Sequence, residues 1–163
     1  LQVYGVRTAI RVGTCGGLAE HVQVRELVLS QSASSDSSVN RQIFGAFEFA
    51  PSPDFGLLRM AADIASAAQI VTHVGPTASS EVFYVANVLE RYATLRAHGI
   101  IAVDMETSAF YTLAARFSAR ALSICTVVDN IVTGVETAES ERQALFAPMT
   151  KLALDLIVAA HRK

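Results

Sequence analysis

The chain has 163 residues, which is enough for one domain with a hydrophobic core and too few for two domains of ordinary size. Hydrophobic residues make up 52% of it and charged residues 17%, and this balance excludes a disordered chain. The net charge of −2 provides no basic field for nucleic acid or an anionic membrane surface, and no apolar run reaches the ~18 residues of a membrane span. We therefore expect a single domain over residues 1–163. The high apolar content favours a sheet buried on both faces and contacts between subunits.

The first residues of the chain are typical of the end of a helix. Leu1, Val3 and Tyr4 would form its last turn, because Gly5 is the usual kind of residue just past a helix C-terminus. The chain also begins without methionine. Both features predict that it is a fragment of a longer protein.

Strands and helices are predicted to alternate along the first half of the chain. Apolar residues at helical spacing predict the helix, and β-rich runs bounded by glycine or proline predict the strands. The polar run is typical of a flexible surface loop. In order, the predicted elements are a strand over 8–12, a glycine-rich loop over 13–17, a strand over 22–29, the polar loop over 31–40, a helix over 53–68 and a strand over 70–74.

The second half continues the alternation. Gly99 is the expected stop of one helix, and Thr137 is the expected N-cap of the last. The predicted elements are a helix over 87–98, a strand over 100–103, a helix over 105–117, a strand over 119–128 and a helix over 137–161. This order predicts a layered α/β fold with a largely parallel sheet, in which ligands gather at the carboxyl ends of the strands.

A cation, a hydroxyl and three glycines end the first predicted strand. Arg11 offers a charged fork and Thr14 a hydroxyl, while glycines allow backbone N–H groups to approach an anion. This combination suits a phosphate, although neither GxxxxGK[ST] nor GxGxxG is present. A tight turn beside a surface arginine is the alternative, and the spacing alone favours it.

Carboxylates follow two other predicted strands. Asp104 and Glu106 stand where a helix starts, so the helix dipole alone explains them, but a carboxylate there could also accept hydrogen bonds from a ribose diol. Asp129 ends the most apolar strand, where desolvation would suit it to general acid catalysis. It could equally be a turn residue, or pair with Arg142. Phe83 could stack on a planar base or belong to the core.

The cysteines and histidines indicate neither a disulfide framework nor a metal site. Cys15 and Cys125 could pair only if the fold brought them together, and neither has a CxxC partner. The histidines lack mutual ligand spacing, so no metal ligand is assigned. We expect a protein of the reducing cytoplasm.

Five segments, in order, resemble the bacterial hexameric type of purine nucleoside phosphorylase: RVGTCGG, ELVLSQSASSDSSVN, GPTASSEVFY, GIIAVDMETSAFYTLAARFSARALSICTVVDN and TAESERQALF. The resemblance implies a three-layer αβα fold with a distorted, mixed and mostly parallel sheet, incomplete at its N-terminus because the family has a further N-terminal part. It implies phosphorolysis of purine nucleosides to base and ribose 1-phosphate, with phosphate as co-substrate and no cofactor. It also implies a homohexamer built as a trimer of dimers.

The resemblance also implies roles for individual residues at matching positions. They are phosphate ligands at Arg11 and Thr14, ribose ligands at Met105 and Glu106, neighbours of the base at Cys15, Gly16, Phe83 and Val103, a general acid at Asp129, and an assisting arginine at Arg142.

Two positions depart from the family pattern, and two other functions stay open. Val128 replaces a usual serine and Asn130 a common histidine, and either change could alter base preference. A truncated, catalytically impaired subunit that serves as an oligomerisation or nucleobase-binding module is one alternative. A hydrolase of the same superfamily is the other, and Arg11 and Thr14 argue against it.

Overall fold

The computed structural model describes residues 3–138 and 142–161, and the side chains of residues 142–144 lie outside that description. Its elements are β1 Thr8–Gly17, β2 Leu27–Ser35, α1 Val39–Phe44, α2 Phe55–Ala67, β3 Thr72–Ser79, α3 Val88–Arg91, α4 Ala93–Ala97, β4 Ala102–Asp104, α5 Thr107–Arg116, β5 Arg120–Asn130, β6 Val135–Glu136 and α6 Arg142–His161.

The sheet closes on itself. Its strands pair in the order β1-β4-β3-β2-β5-β6, and β1 also pairs with β5, so the first five strands of that order form a ring. The β1–β5, β2–β3 and β3–β4 pairings are parallel, whereas β1–β4, β2–β5 and β5–β6 are antiparallel and short. The predicted α/β fold with a distorted, mixed sheet is confirmed, and its long ladders are the parallel ones.

Helices cover both faces of this sheet. Leu122 and Ile124 of β5 pack in a cluster with apolar residues of α2 and α6. The intervening Ser123 lies on the other face, because successive strand residues point to opposite sides, and there its N–H donates to the hydroxyl of Tyr111 in α5. The α2 helix begins as predicted, with Asp54 accepting a hydrogen bond from the N–H of Leu57.

The predicted glycine-rich loop at 13–17 is wrong, because these residues belong to β1. They continue the parallel ladder with β5, with one register shift between Cys15 and Gly16. Pairing to a long apolar strand satisfies the backbone groups that a loop would expose to water. The shift is the only irregularity that this ladder shows along the ten residues of β1.

The polar run at 31–40 is likewise not a loop throughout. Its first five residues extend β2, where the hydroxyls of Ser30 and Thr77 lie 2.7 Å apart, and its last two begin α1, a helix that the sequence did not predict. Cross-strand hydrogen bonds between hydroxyls replace the apolar contacts expected of a strand.

The predicted helix over 87–98 is two short helices. The backbone at Tyr92 departs from helical angles (φ −96°, ψ 3°), and this separates α3 from α4. Gly99 ends α4 with a positive φ, as predicted.

The N–H groups that Thr137 would cap belong to residues 139–141, which lie outside the described part of the chain. Within the described ranges, no helix is both long and apolar enough to cross a membrane.

Candidate functional site

The guanidinium of Arg11 forms the centre of a polar cluster with residues of β4 and β5. Its Nη1 lies 3.1 Å from Ser123 Oγ, 3.0 Å from Cys125 Sγ and 3.2 Å from Asp104 Oδ2. Its Nη2 donates to Glu106 Oε2. Burial alone would lower the pKa of Arg11, but these anionic and thiol neighbours more than offset it and raise the pKa. The arginine is a fixed cation and not a loose surface residue.

Gly13 makes this position of the arginine possible. Arg11, Gly13 and Cys15 share one face of β1 because they alternate along the strand. A β-carbon on Gly13 would lie 2.8 Å from Nη1 and 2.9 Å from Nη2 of Arg11. The guanidinium therefore lies in the space that a side chain at position 13 would fill.

Two carboxylates flank Arg11, and they differ in burial. The Asp104 side chain is 3% exposed, and it accepts hydrogen bonds from the hydroxyls of Ser79 and Thr107 and from the N–H of Thr107 at the start of α5. The Glu106 side chain is 62% exposed. Of the two carboxylates, Asp104 is the one that accepts a hydrogen bond at the start of α5, whereas Glu106 remains accessible to a ligand.

The two cysteines come together beneath the arginine as free thiols. Cys125 pairs in register with Gly13, and Cys15 lies two residues further along β1. The interaction between the thiols raises the pKa of Cys15, which burial raises further. The same interaction lowers the pKa of Cys125 despite its burial, and the charge of Arg11 lowers it too.

Asp129 lies across from Gly16 of β1. The register shift in the β1–β5 ladder sets Gly16 opposite Asp129, so that Val128 is the extra residue on β5. A β-carbon on Gly16 would lie 3.2 Å from Asp129 Oδ2. The glycine again leaves room for a charged side chain, and Val103 of β4 pairs with it from the other side.

The guanidinium of Arg11 and the carboxylate of Asp129 lie beside two different glycines of β1. The guanidinium lies over Gly13 and the carboxylate lies beside Gly16. Gly13 and Gly16 are three residues apart along β1, which is roughly 10 Å of strand. Glu106, which contacts Arg11, belongs to the segment that follows Val103. These contacts place a fixed cation and an accessible carboxylate together, with a second carboxylate further along β1.

Some predicted site residues are not brought into this arrangement. Thr14 is exposed, and the pleat of β1 directs it to the face opposite Arg11. Phe83 is 71% exposed and packs edge-to-face on Tyr84, with ring centroids 4.8 Å apart. Met105 is also exposed, next to Glu106. The side chain of Arg142, the first residue of α6, lies outside the described residues.

Asn130, one of the two departures from the family pattern, has a structural role. Its amide donates to the carbonyls of Ala19 and Val22 at 2.9 and 2.8 Å, and its carbonyl oxygen accepts from the N–H groups of Val132 and Thr133. The side chain is buried with its hydrogen bonds satisfied, so it holds two backbone segments together.

Sequence reasoning missed the buried partners of Arg11. Asp104 and Glu106 carry the same alternatives in the sequence, and no local pattern ties Ser123 or Cys125 to Arg11. The available signal was the alternation of small polar residues at 123 and 125 within an apolar strand, on the face that meets Arg11. No group of three or more His, Cys, Asp or Glu residues in the described ranges is placed to hold a metal ion.

The chain belongs to the phosphorylase superfamily, whose family model matches residues 1–160. More particularly, it is similar to proteins named purine nucleoside phosphorylase DeoD-type. It is 45% identical to the one from Geobacillus kaustophilus (97% of this chain, 66% of that protein). It is 42% identical to the one from Anoxybacillus flavithermus (97% and 67%) and 44% identical to the one from Brevibacillus brevis (95% and 66%). The chain spans about two thirds of the length of these relatives.

Proposed function

We propose that the protein is a purine nucleoside phosphorylase, which converts a purine nucleoside and phosphate to the free base and ribose 1-phosphate. The observation that carries this proposal is the contact between Arg11 and the exposed Glu106, with Asp129 beside Gly16 of the same strand that holds Arg11. The DeoD-type relatives carry the same activity in their names.

Phosphate binds at the arginine end of this site. Among the described residues, the Nη2 atom of Arg11 donates to Glu106, an exposed carboxylate that a ligand can displace. Phosphate oxygens accept charge-assisted hydrogen bonds from the guanidinium. The family pattern gives Thr14 as a second phosphate ligand, although the pleat of β1 directs its side chain to the face opposite Arg11. Glu106, together with Met105, then binds the ribose, because an ionised carboxylate accepts hydrogen bonds from a diol.

Asp129 acts at the base. One phosphate oxygen attacks C1′ of the ribose while the C1′–N9 bond breaks, and the electron pair of that bond passes to the purine. Asp129 delivers its proton to N7, which neutralises the leaving base. Gly16 gives its carboxyl group room to approach the ring. Cys15, Phe83 and Val103 are the proposed neighbours of the base, and Arg142 assists Asp129.

The proposal includes a homo-oligomer. Large apolar side chains such as Phe47 and Phe55 are exposed, which is typical of surfaces that other subunits cover. The family pattern indicates a hexamer built as a trimer of dimers, in the cytoplasm and without a metal or organic cofactor. Light scattering tests the assembly, and a monomer at micromolar concentration contradicts it.

The decisive experiment measures release of hypoxanthine from inosine with and without phosphate. Phosphate-dependent release, with ribose 1-phosphate as the second product, supports the phosphorylase. Equal release without phosphate identifies a hydrolase. Binding of the nucleobase without any turnover identifies the binding-module alternative.

A further inference from the structure

The structure holds the two ends of the Arg11 guanidinium differently. Nη1 contacts Ser123, Cys125 and the buried Asp104, whereas Nη2 contacts the exposed Glu106. Among these partners only Asp104 and Glu106 are carboxylates. A ligand can displace Glu106 into water, but Asp104 has no such freedom.

Asp104 is enclosed by the protein on every oxygen. Oδ1 accepts a 2.7 Å hydrogen bond from Ser79 Oγ, and Oδ2 accepts from the hydroxyl and the N–H of Thr107. The remaining contact of Oδ2 is Nη1 of Arg11, at 3.2 Å. A buried carboxylate with these partners is held in one orientation, and it offers no position to a ribose hydroxyl.

We propose that Asp104 is a positioning residue for phosphate binding, which acts by anchoring Nη1 of Arg11 so that Nη2 is presented to the anion. This inference rests on the proposed function, because it assumes that phosphate binds at Arg11. It assigns different tasks to the two neighbouring carboxylates: Asp104 orients the arginine, and Glu106 leaves it when phosphate arrives.

The physical consequence is a competition for the arginine. Without the charge of Asp104, Nη1 keeps only the neutral hydroxyl of Ser123 and the thiol of Cys125. Of the two carboxylates that contact the guanidinium in the described part of the chain, Glu106 then remains, and the arginine can turn towards it as a tighter pair. Phosphate would then have to displace Glu106 from an arginine that no longer points towards it, so the affinity for phosphate should fall.

The test compares phosphate and nucleobase binding in charge-removing variants of the natural protein, by titration calorimetry. Asp104→Asn and Asp104→Ser both keep an acceptor for the N–H of Thr107 at the start of α5. We expect phosphate affinity to fall at least tenfold in both, while hypoxanthine affinity changes less than twofold. Phosphate affinity within twofold of wild type in either folded variant overturns the proposal. So does failure of both variants to fold, since Asp104 would then be required for the fold itself.

Two further variants distinguish a failure of this inference from general destabilisation and from a failure of the proposed function. Asp54→Asn is the matched control, because Asp54 also accepts at a helix start and pairs with an arginine, Arg120, in a different part of the molecule. It should lower the melting temperature without changing phosphate affinity, and a loss of phosphate affinity there would reduce the Asp104 effect to general destabilisation. Arg11→Gln tests the proposed function. If it binds phosphate normally, phosphate does not bind at Arg11, and the proposed site is wrong.

Discussion

Replacing Gly13 with alanine should separate stability from phosphate binding. The backbone of Gly13 lies outside the left-handed region, so alanine can adopt its conformation. The new methyl group, however, would lie 2.8 Å from Nη1 and 3.0 Å from Cζ of Arg11. The guanidinium is the far end of a flexible side chain, and it must move away from the strand.

The size of that movement follows from the contact distances. Ordinary contact with a β-carbon begins at 3.4 Å, so Nη1 must retreat by about 0.6 Å (3.4 less 2.8). Its contacts with Ser123 and Cys125, at 3.1 and 3.0 Å, leave little room for such a shift before hydrogen bonding fails. A hydrogen bond to a charged group contributes about 1.5–3 kcal/mol, so one lost bond to phosphate should weaken binding roughly 10- to 100-fold.

The free energy of unfolding should fall modestly. Alanine restricts the unfolded chain, which stabilises a compatible site by about 0.4–1 kcal/mol. Loss of one hydrogen bond of the Arg11 guanidinium costs about 1.5–3 kcal/mol and outweighs this gain. We therefore expect a melting temperature somewhat below that of the wild type, together with a large loss of phosphate affinity.

Titration calorimetry with inorganic phosphate and thermal melting measure the two effects. Gly75→Ala is the matched control in β3, because its β-carbon would lie 2.6 Å from Cδ1 of Ile101 and would strain the core instead of the site. That variant should melt earlier and still bind phosphate. Normal phosphate affinity in Gly13→Ala would refute the reasoning, and so would an affinity loss that merely tracks the melting temperature in both variants.

Asp129→Asn should lower turnover of inosine roughly 10²- to 10⁴-fold, because the amide cannot transfer a proton, while 7-methylguanosine, already charged at the base, should lose much less; equal losses in steady-state assays would remove Asp129 from the acid role. Glu106→Gln should reduce kcat/KM for a nucleoside roughly 5- to 150-fold, which corresponds to about 1–3 kcal/mol, since the amide sets a donor against the ribose hydroxyls, and an unchanged value would leave Glu106 without a role in the site. Tyr111→Phe should destabilise the fold by about 1–3 kcal/mol in urea unfolding, because the hydroxyl joins the Ser30 carbonyl to a β5 N–H, and an unchanged midpoint would contradict this. Burial alone would raise the pKa of Asp54, but hydrogen bonds from the Arg120 side chain and from the α2 backbone hold it below its ordinary value. The stability from Asp54 is therefore present above about pH 4 and lost as pH falls further, so Asp54→Asn should flatten the acid side of the stability–pH curve, and parallel curves would refute this.

Local sequence patterns were sufficient for much of the secondary structure and for the main charged residues of the site. The helix after Asp54 and the strand before Asp129 follow from apolar spacing and from a capping side chain, which act within a few residues. The placement of Asp129 at the carboxyl end of β5 also followed from the order of the elements, because ligand sites of α/β sheets lie at the carboxyl ends of the strands.

Only the tertiary structure decided which neighbours these residues have. The glycines at 13–17 form a strand instead of a loop because β5, more than a hundred residues away in the sequence, satisfies their backbone groups. Asp104 rather than Glu106 holds Nη1 of Arg11 because α5 begins beneath it and buries it, whereas Glu106 stays in solvent. Hydrogen-bond partners and burial depend on contacts between distant segments, and no local propensity encodes them. The sequence alone therefore determined which charges are available to the site, and the closed sheet determined which of them is fixed and which can move.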